Sequence, residues 1–573
     1  MTNPRNFFLM ALLFTAFLLW QAWQKDYAPG APSRAQTQIS DASSAKSSRT
    51  DAPTPSSSSA DRSDVPMVPA QSTTAPTTDR VELAGAAKGS APNIVVITDV
   101  LRAEIDPEGG NLVRVELTDY ALSNKQRDQA VTFLSDAEGH FFVAQTGLVS
   151  NGAKVPDHKA LFTATRTRYT LPVGSANIRV PLTWQQNGVT VTKTWTFARG
   201  SYRIGLTQAV ANAGALPLAV NAYGQLQREA PLGSTSFTDP SSYSFRGAGW
   251  WSNEERFEKA PFGKYLKEPL KREITGGWAA LLQHHFVAAL IPPASEAFAY
   301  NTSEIKSAGV PPRYLIRTLG PTRTIAPGAS ATLPLEFYIG PKLQDHLGEV
   351  APGLNHTVDY GLVTFLSEPL FWLLSKIHKL VGNWGWSIVL LTVLIKLAFY
   401  KLTEAQYRSF ARMRKFQPRL AALKERYGDD KEKLNRAMVE LYQKEKINPM
   451  GGCLPMLVQI PVFIALYWVL IESVELRHAP WILWIDSLTD RDPYFVLPVL
   501  NGLAMFATQK LSPTSPGLDP MQAKMFQMMP VIMSVMFAFF PAGLVLYWTV
   551  NGVLGLIQQY IITKRIEASE TKH

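Results

Sequence analysis

The segment that most restricts what this chain can fold into is 384–400, WGWSIVLLTVLIKLAFY, an apolar run with a lysine, Lys396, inside it. At the helical rise it covers about 25 Å, close to the hydrocarbon thickness of a bilayer. An ammonium at that depth costs about 3 kcal/mol on insertion scales unless it reaches water, headgroups or a partner. Thr392, Lys396 and Tyr400 follow at i, i+4 and i+8, which predicts a hydroxyl, a charge and a phenol on one helix face. Two readings stay open for the lysine. Either it snorkels to the interface, where Lys401 follows, or it faces a hydrated cavity shared with other polar side chains.

The mean hydropathy of −0.03 averages two unlike halves. Residues 24 to about 355 hold no apolar run of membrane length, whereas several follow later. The formal charge of +10 concentrates in the loop after the lysine-bearing helix, which points to a membrane surface or an acidic partner rather than to recognition of a nucleic-acid sequence. A single cysteine, Cys453, excludes an intrachain disulfide and a multi-cysteine zinc site. The chain has no Walker A, G-x-S-x-G or H-E-x-x-H motif, so nucleotide-driven and common hydrolase chemistry loses ground.

Taken in order, 1–24 carries Arg5 and then the apolar run FFLMALLFTAFLLWQAW. Trp20 and Trp23 at its exit suit a retained transmembrane anchor better than a cleaved signal peptide. Residues 25–90 are rich in Ser, Thr, Ala and Pro and read as a disordered exported tether. Residues 91–355 switch to period-two alternation, which predicts a large exported β-sandwich. Its clearest hairpin alternates Ile178, Val180, Leu182 and Trp184, turns at Asn187-Gly188, and resumes with Val189, Val191 and Trp195. Similar strands are expected at 113–117, 202–206 and 333–339. His284 and His285 are the most metal-like pair there, yet adjacent strand residues face opposite ways, so ordinary strand histidines are expected.

Residues 356–381 combine a broad apolar face with Glu368, Lys376, His378 and Lys379, as an interfacial amphipathic helix would. The remainder, 382–565, is expected to form an α-helical polytopic core. Its loop 401–448 holds 13 Lys/Arg against 7 Asp/Glu, a net of +6, which places it in the cytoplasm. Within that loop, 403–448 reads as an antiparallel helical hairpin broken at Gly428-Asp429-Asp430. Four more spans are expected at 453–474, 494–509, 525–540 and 542–562, followed by a cytoplasmic tail at 566–573. With the anchor this makes six spans and puts both termini in the cytoplasm.

Polar side chains recur at membrane depth: Gln459, Asn501, Thr508, Ser534, Thr549, Asn551 and Gln558. Each alone is ordinary interhelical glue. With Thr392 and Lys396 they are also the material for a shared hydrophilic groove. A methionine stripe, Met521, Met525, Met528, Met529, Met533 and Met536, lies at a membrane entrance. It serves either as adaptable packing or as a surface for varied hydrophobic segments.

The stretches LTEAQYRSFARMRKFQPRLAALKERYGDDKEKLNRAMVELYQKEKINPMGGCLPMLVQIPVF and DPMQAKMFQMMPVIMSVMFAFFPAGLVLYWTVNG closely resemble the Gram-negative YidC type of the YidC/Oxa/Alb family. The resemblance runs from about 359 to 564. It implies five core spans enclosing a hydrophilic groove, and a cytoplasmic hairpin that receives substrates and ribosome or targeting factors; the hairpin's basic residues include Arg408, Arg412, Arg414, Lys415 and Arg426. The family's groove charge is normally arginine, and Lys396 stands at the matching position, keeping the charge without the guanidinium fork. Gln459 and the pair Tyr547 and Trp548 fall on family positions that imply groove and substrate contact. The exported domain is similar to sugar-binding supersandwich folds.

The reading is a membrane protein insertase and chaperone of the bacterial inner membrane, working alone or beside the Sec translocon and its accessory subunits, without cofactor or nucleotide. Its expected partners are nascent inner-membrane proteins, the ribosome and the lipid bilayer. Two rivals remain: a secondary transporter built on Lys396, and a membrane-anchored carbohydrate-binding protein of the envelope.

Overall fold

The computed structural model of the chain describes residues 64–66, 91–230, 244–265, 267–307, 310–428, 430–444, 454–511 and 520–570. The anchor expected at 7–23, almost all of the tether, Asp429, Cys453 and the last three residues lie outside the described residues.

The period-two stretch becomes two sheets, one of eleven strands and one of nine among the described residues. Strands Asn177–Gln186 and Val189–Ala198 pair antiparallel with Gln186 opposite Val189. Asn187 and Gly188 between them take φ of 51° and 76°, the left-handed pair that a two-residue turn matched to the strand twist requires. Val180, Leu182, Val191, Trp195 and Phe197 are buried in the core, while alternate residues face outward. The strands expected at 113–117, 202–206 and 333–339 fall largely within Asn111–Ser123, Arg203–Asn212 and Ser330–Pro341, and the last two pair with each other.

The same alternation carries a lysine inward. Lys193 lies between Val191 and Trp195 and has no exposed surface. Its ammonium donates to the carbonyls of Gly109 and Thr146, at 2.5 and 2.6 Å, and to Thr146 Oγ1 at 3.0 Å. Burial pushes Lys193 down to about 7, against the pull of Asp157.

His284 and His285 correct the expectation of opposed strand histidines. They lie in the turn between strands Trp278–Leu282 and Phe286–Ile291, where strand alternation no longer applies. Their rings stack at 3.8 Å, and both Nε2 atoms reach the Ile471 carbonyl, at 3.0 and 2.9 Å. A carbonyl only accepts, so each Nε2 carries the proton.

The helices are α1 (Gln344–Val350), α2 (Thr364–Val381), α3 (Trp384–Ala398), α4 (Tyr400–Tyr427), α5 (Lys431–Lys444), α6 (Leu454–Glu472), α7 (Val496–Leu511), α8 (Pro520–Phe537) and α9 (Ala542–Glu570). Asn383 caps α3 by accepting from the Trp386 N–H. Phe399, at φ −91° and ψ 10°, ends α3, and α4 departs at 61°. Tyr400 therefore opens the next helix, and the polar face expected to run from Thr392 through Tyr400 stops at Lys396. Helix α9 packs against α3, α4 and α7, while α2 packs against α3 and α6 and buries Ser367, Leu370, Phe371, Leu374 and Ile377.

Leu394, Leu397, Leu503, Val535 and Ile557 stay exposed on the helices, an apolar exterior suited to lipid. Among the described residues, Ala542–Ile566 is long and apolar enough to cross a membrane, and the bent pair Trp384–Ala398 with Tyr400–Arg408 is a second if taken as one span. Val458–Glu472 and Gln527–Phe537 are apolar but shorter. The described helices thus do not by themselves give six spans. One expected span lies outside them, and Pro461 and Pro530 fall within two of the others.

The β-rich region is tied to the chain that leaves α6. Ser244 Oγ donates to Glu472 at 2.5 Å, the Gln344 N–H donates to Glu475 at 3.0 Å, and Arg127 donates to the Asp486 carbonyl at 3.2 Å. Glu475 is pushed up to about 7, chiefly by burial.

Candidate functional site

Helices α3, α4, α6, α7, α8 and α9 converge on a cavity of about 370 Å³. Lys396 enters from α3, 7% exposed, and among the described residues its ammonium has neither a hydrogen-bond nor an ion-pair partner. The surrounding wall mixes polar and apolar groups. Gln459 comes from α6, Asn501, Thr508 and Gln509 from α7, and Asn551 from α9. Asn501 Oδ1 and Trp548 Nε1 are buried with no hydrogen-bond partner among the described residues. Unsatisfied polar atoms around a cavity are places for water or a polar guest.

Two glycines of α9 let the other helices in. Gly552 and Gly555 line the cavity, and a Cβ on Gly555 would stand 3.6 Å from Lys396 Nζ and 3.9 Å from Tyr407 Oη. Tyr407 donates to the Gly555 carbonyl at 3.1 Å. Thr403 and Gln406 complete this side, so the first two turns of α4 form one wall of the cavity where α3 bends away.

The structure separates the expected groove residues into two groups. Lys396, Gln459 and Asn551 meet at the cavity. Thr392 instead donates to the Ile388 carbonyl at 2.7 Å on its own helix. Thr549 bonds the Val545 and Leu497 carbonyls, and Ser534 bonds the Pro498 carbonyl at 2.8 Å, which stitches α7 to α9 and to α8. Tyr547 is buried with its ring stacked on Phe463 at 6.4 Å.

Of the methionine stripe, Met529 lines the cavity with Trp548, Met528 is exposed, and Met533 and Met536 pack against the core. The side chains of Met525, Arg412, Arg414 and Lys415 lie outside the described ones. Arg408 pairs with Glu404 at 2.7 Å one turn away, and Arg426 is exposed with its guanidinium over the Tyr427 ring. Thr403, Gln406 and Tyr407 were not expected at a site. They follow the break at Phe399, in a segment whose charge reads as a solvated surface.

Two family models match the chain, one described as 60Kd inner membrane protein over residues 376–570 and one as YidC periplasmic domain over residues 93–373. A membrane protein insertase YidC from Nitrosococcus oceani is 45% identical over 575 residues, covering 99% of each chain. One from Thioalkalivibrio sulfidiphilus is 44% identical over 589 residues, covering 100% of each. Among solved structures, the crystal structure of an active YidC insertase with its first transmembrane domain resolved superposes with a TM-score of 0.37 at 18% identity, covering 82% of this chain and 92% of that one.

Proposed function

The chain belongs to the YidC family of membrane protein insertases, and we propose that it inserts membrane proteins through the cavity around Lys396. The observation that carries this is the buried ammonium, unpaired among the described residues, in a cavity that also takes in Gln459, Asn501 and Asn551. Moving a short polar tail across a bilayer costs mainly its desolvation, and a hydrated cavity shortens the apolar distance to be crossed. Lys396 attracts acidic residues of the tail. The hydrophobic segment leaves sideways past Met528, Met529 and Trp548, between α6 and α8. Burial of about 20 apolar residues in lipid then drives the step, with no bond made or broken.

The run 7–23, α3 with the start of α4, α6, α7, α8 and α9 form six spans, with both termini in the cytoplasm and the β-rich region outside the inner membrane. Helices α4 and α5 form the hairpin that meets the ribosome and targeting factors, and the protein works alone or beside the Sec translocon.

Purified protein in liposomes, given a short acidic-tailed membrane protein and no ATP, should insert it faster than empty liposomes; equal rates would sink the proposal. A finer prediction concerns Gly555→Leu. Its branched side chain must enter the space between Lys396 and Tyr407, while leucine keeps α9 helical. Insertion of acidic-tailed substrates should fall severalfold in the same assay, with the amount of protein in the membrane unchanged.

A further inference from the structure

A second cavity, of about 500 Å³, lies where the β-rich region meets the end of α6 and the turn before α9, and insertion through the Lys396 cavity leaves it without a role. Its volume is that of a small-molecule site. Arg228, Arg246 and Arg477 line it with the stacked rings of His284 and His285, and Asp490 is its one lining carboxylate among the described residues. Burial pushes His284 down to about 3 and His285 well below its ordinary range, with nearby Lys342 and Arg477 adding to this, so both rings are neutral near pH 7. Among the described residues the lining therefore holds three guanidinium groups and one carboxylate, and Arg246 makes a further contact of its own.

Two of the arginines, Arg228 and Arg477, are held in place but not fully satisfied. Arg228 lies over the Phe142 ring at 4.8 Å and Arg477 over the Phe286 ring at 5.4 Å. Arg477 Nη2 donates to the Leu122 carbonyl at 3.2 Å. Each of these two arginines still has a buried Nη1 with no acceptor among the described residues. Of the neighbouring carboxylates, Glu472 accepts from Ser244 and lies 3.9 Å from His284 Nε2, Glu229 pairs with Arg313 at 3.5 Å, and Glu475 accepts from the Gln344 N–H while its Oε2 has no donor among the described residues. Buried guanidinium N–H groups without acceptors are costly, and an oxyanion satisfies several at once.

We propose that this cavity binds a phosphate group, as a phosphate ester or a phospholipid headgroup. A phosphate offers oxygens in several directions, matching guanidinium groups that converge from separate elements, where a lone carboxylate would satisfy fewer. Leu122, Leu470 and Pro541 give the cavity an apolar side beside the charge. Binding of phosphate follows from the cavity alone. A lipid source rests in addition on the proposed spans, which bring the end of α6 and the turn at Pro541 to the outer membrane surface.

The test is calorimetric titration of the delipidated full-length protein with inorganic phosphate, glycerol 3-phosphate and short-chain phosphatidylglycerol. Saturable binding is expected, weakened at least tenfold in Arg228→Gln/Arg477→Gln. Asp490→Asn removes the lining carboxylate and should tighten binding severalfold, a gain that misfolding does not produce. Binding of phosphatidylglycerol that glycerol 3-phosphate fails to displace identifies the lipid source; displacement identifies a soluble ester. The inference is overturned if none of the three probes binds, or if neither the double variant nor Asp490→Asn changes the affinity.

Discussion

Lys396→Leu should nearly abolish insertion of acidic-tailed substrates and at the same time make the protein more resistant to heat. The two effects have one cause. A buried ammonium with no partner among the described residues costs folding energy, and an apolar side chain in its place removes that cost. The same charge attracts the acidic tail, so its loss should slow insertion at least tenfold for acidic tails and much less for neutral ones. Lys396→Arg, which keeps the charge and adds a fork, should insert at close to the original rate. Proteoliposome insertion with tails of graded charge, alongside thermal unfolding in detergent, reads both effects. Equal rates for the three proteins would make Lys396 an interfacial anchor rather than a groove charge.

The second large effect lies in the β-rich region. Lys193→Met leaves the Gly109 carbonyl, the Thr146 carbonyl and Thr146 Oγ1 without their donor, all in a dry core. A stranded buried acceptor costs about 1–3 kcal/mol, and the relief of no longer burying an ammonium offsets part of the sum, so a net loss of about 2–4 kcal/mol is expected. The pH dependence separates the two contributions. Lys193 titrates at about 7 in the fold, and a lysine of the unfolded chain at about 10.4. Between these values the unfolded state binds more protons. Wild-type stability should therefore carry a term that rises with pH from about 7 upward, by at most ~1.4 kcal/mol per pH unit, and that is absent below. Urea unfolding of the full chain followed by tryptophan fluorescence, at pH 7, 8 and 9, should show this rise in the wild type minus Lys193→Met difference. A difference that does not change with pH would mean that Lys193 stays charged in the fold.

The hairpin over 177–198 was legible because its alternation and its Asn-Gly turn depend only on neighbours in sequence. Lys193 sits on the inward face of that alternation and was passed over, because a reading that follows apolar residues skips a lysine whose acceptors come from 84 and 47 residues away. The histidine pair was misplaced for a related reason: whether 284 and 285 fall in a strand or a turn depends on sheet register, which the local pattern does not set. In the helices, Lys396, Gln459 and Asn551 stood out as polar residues in apolar runs, and they meet. Thr392, Thr549 and Ser534 stood out equally and do not line the cavity, since a hydroxyl on a helix has a backbone carbonyl within reach. Pattern alone does not tell these two fates apart.

The 61° bend at Phe399 changes how shortened forms of the protein must be interpreted. Thr403, Gln406 and Tyr407 belong to the helix that continues into the hairpin, yet they line the cavity around Lys396, and Tyr407 donates to the Gly555 carbonyl of α9. A truncation that begins at the bend takes away a wall of the chamber as well as any docking surface, so lost activity would not distinguish the two. One that leaves 400–408 intact and joins the helices beyond it removes the outer arm alone. The position of the first deleted residue thus decides what such an experiment measures.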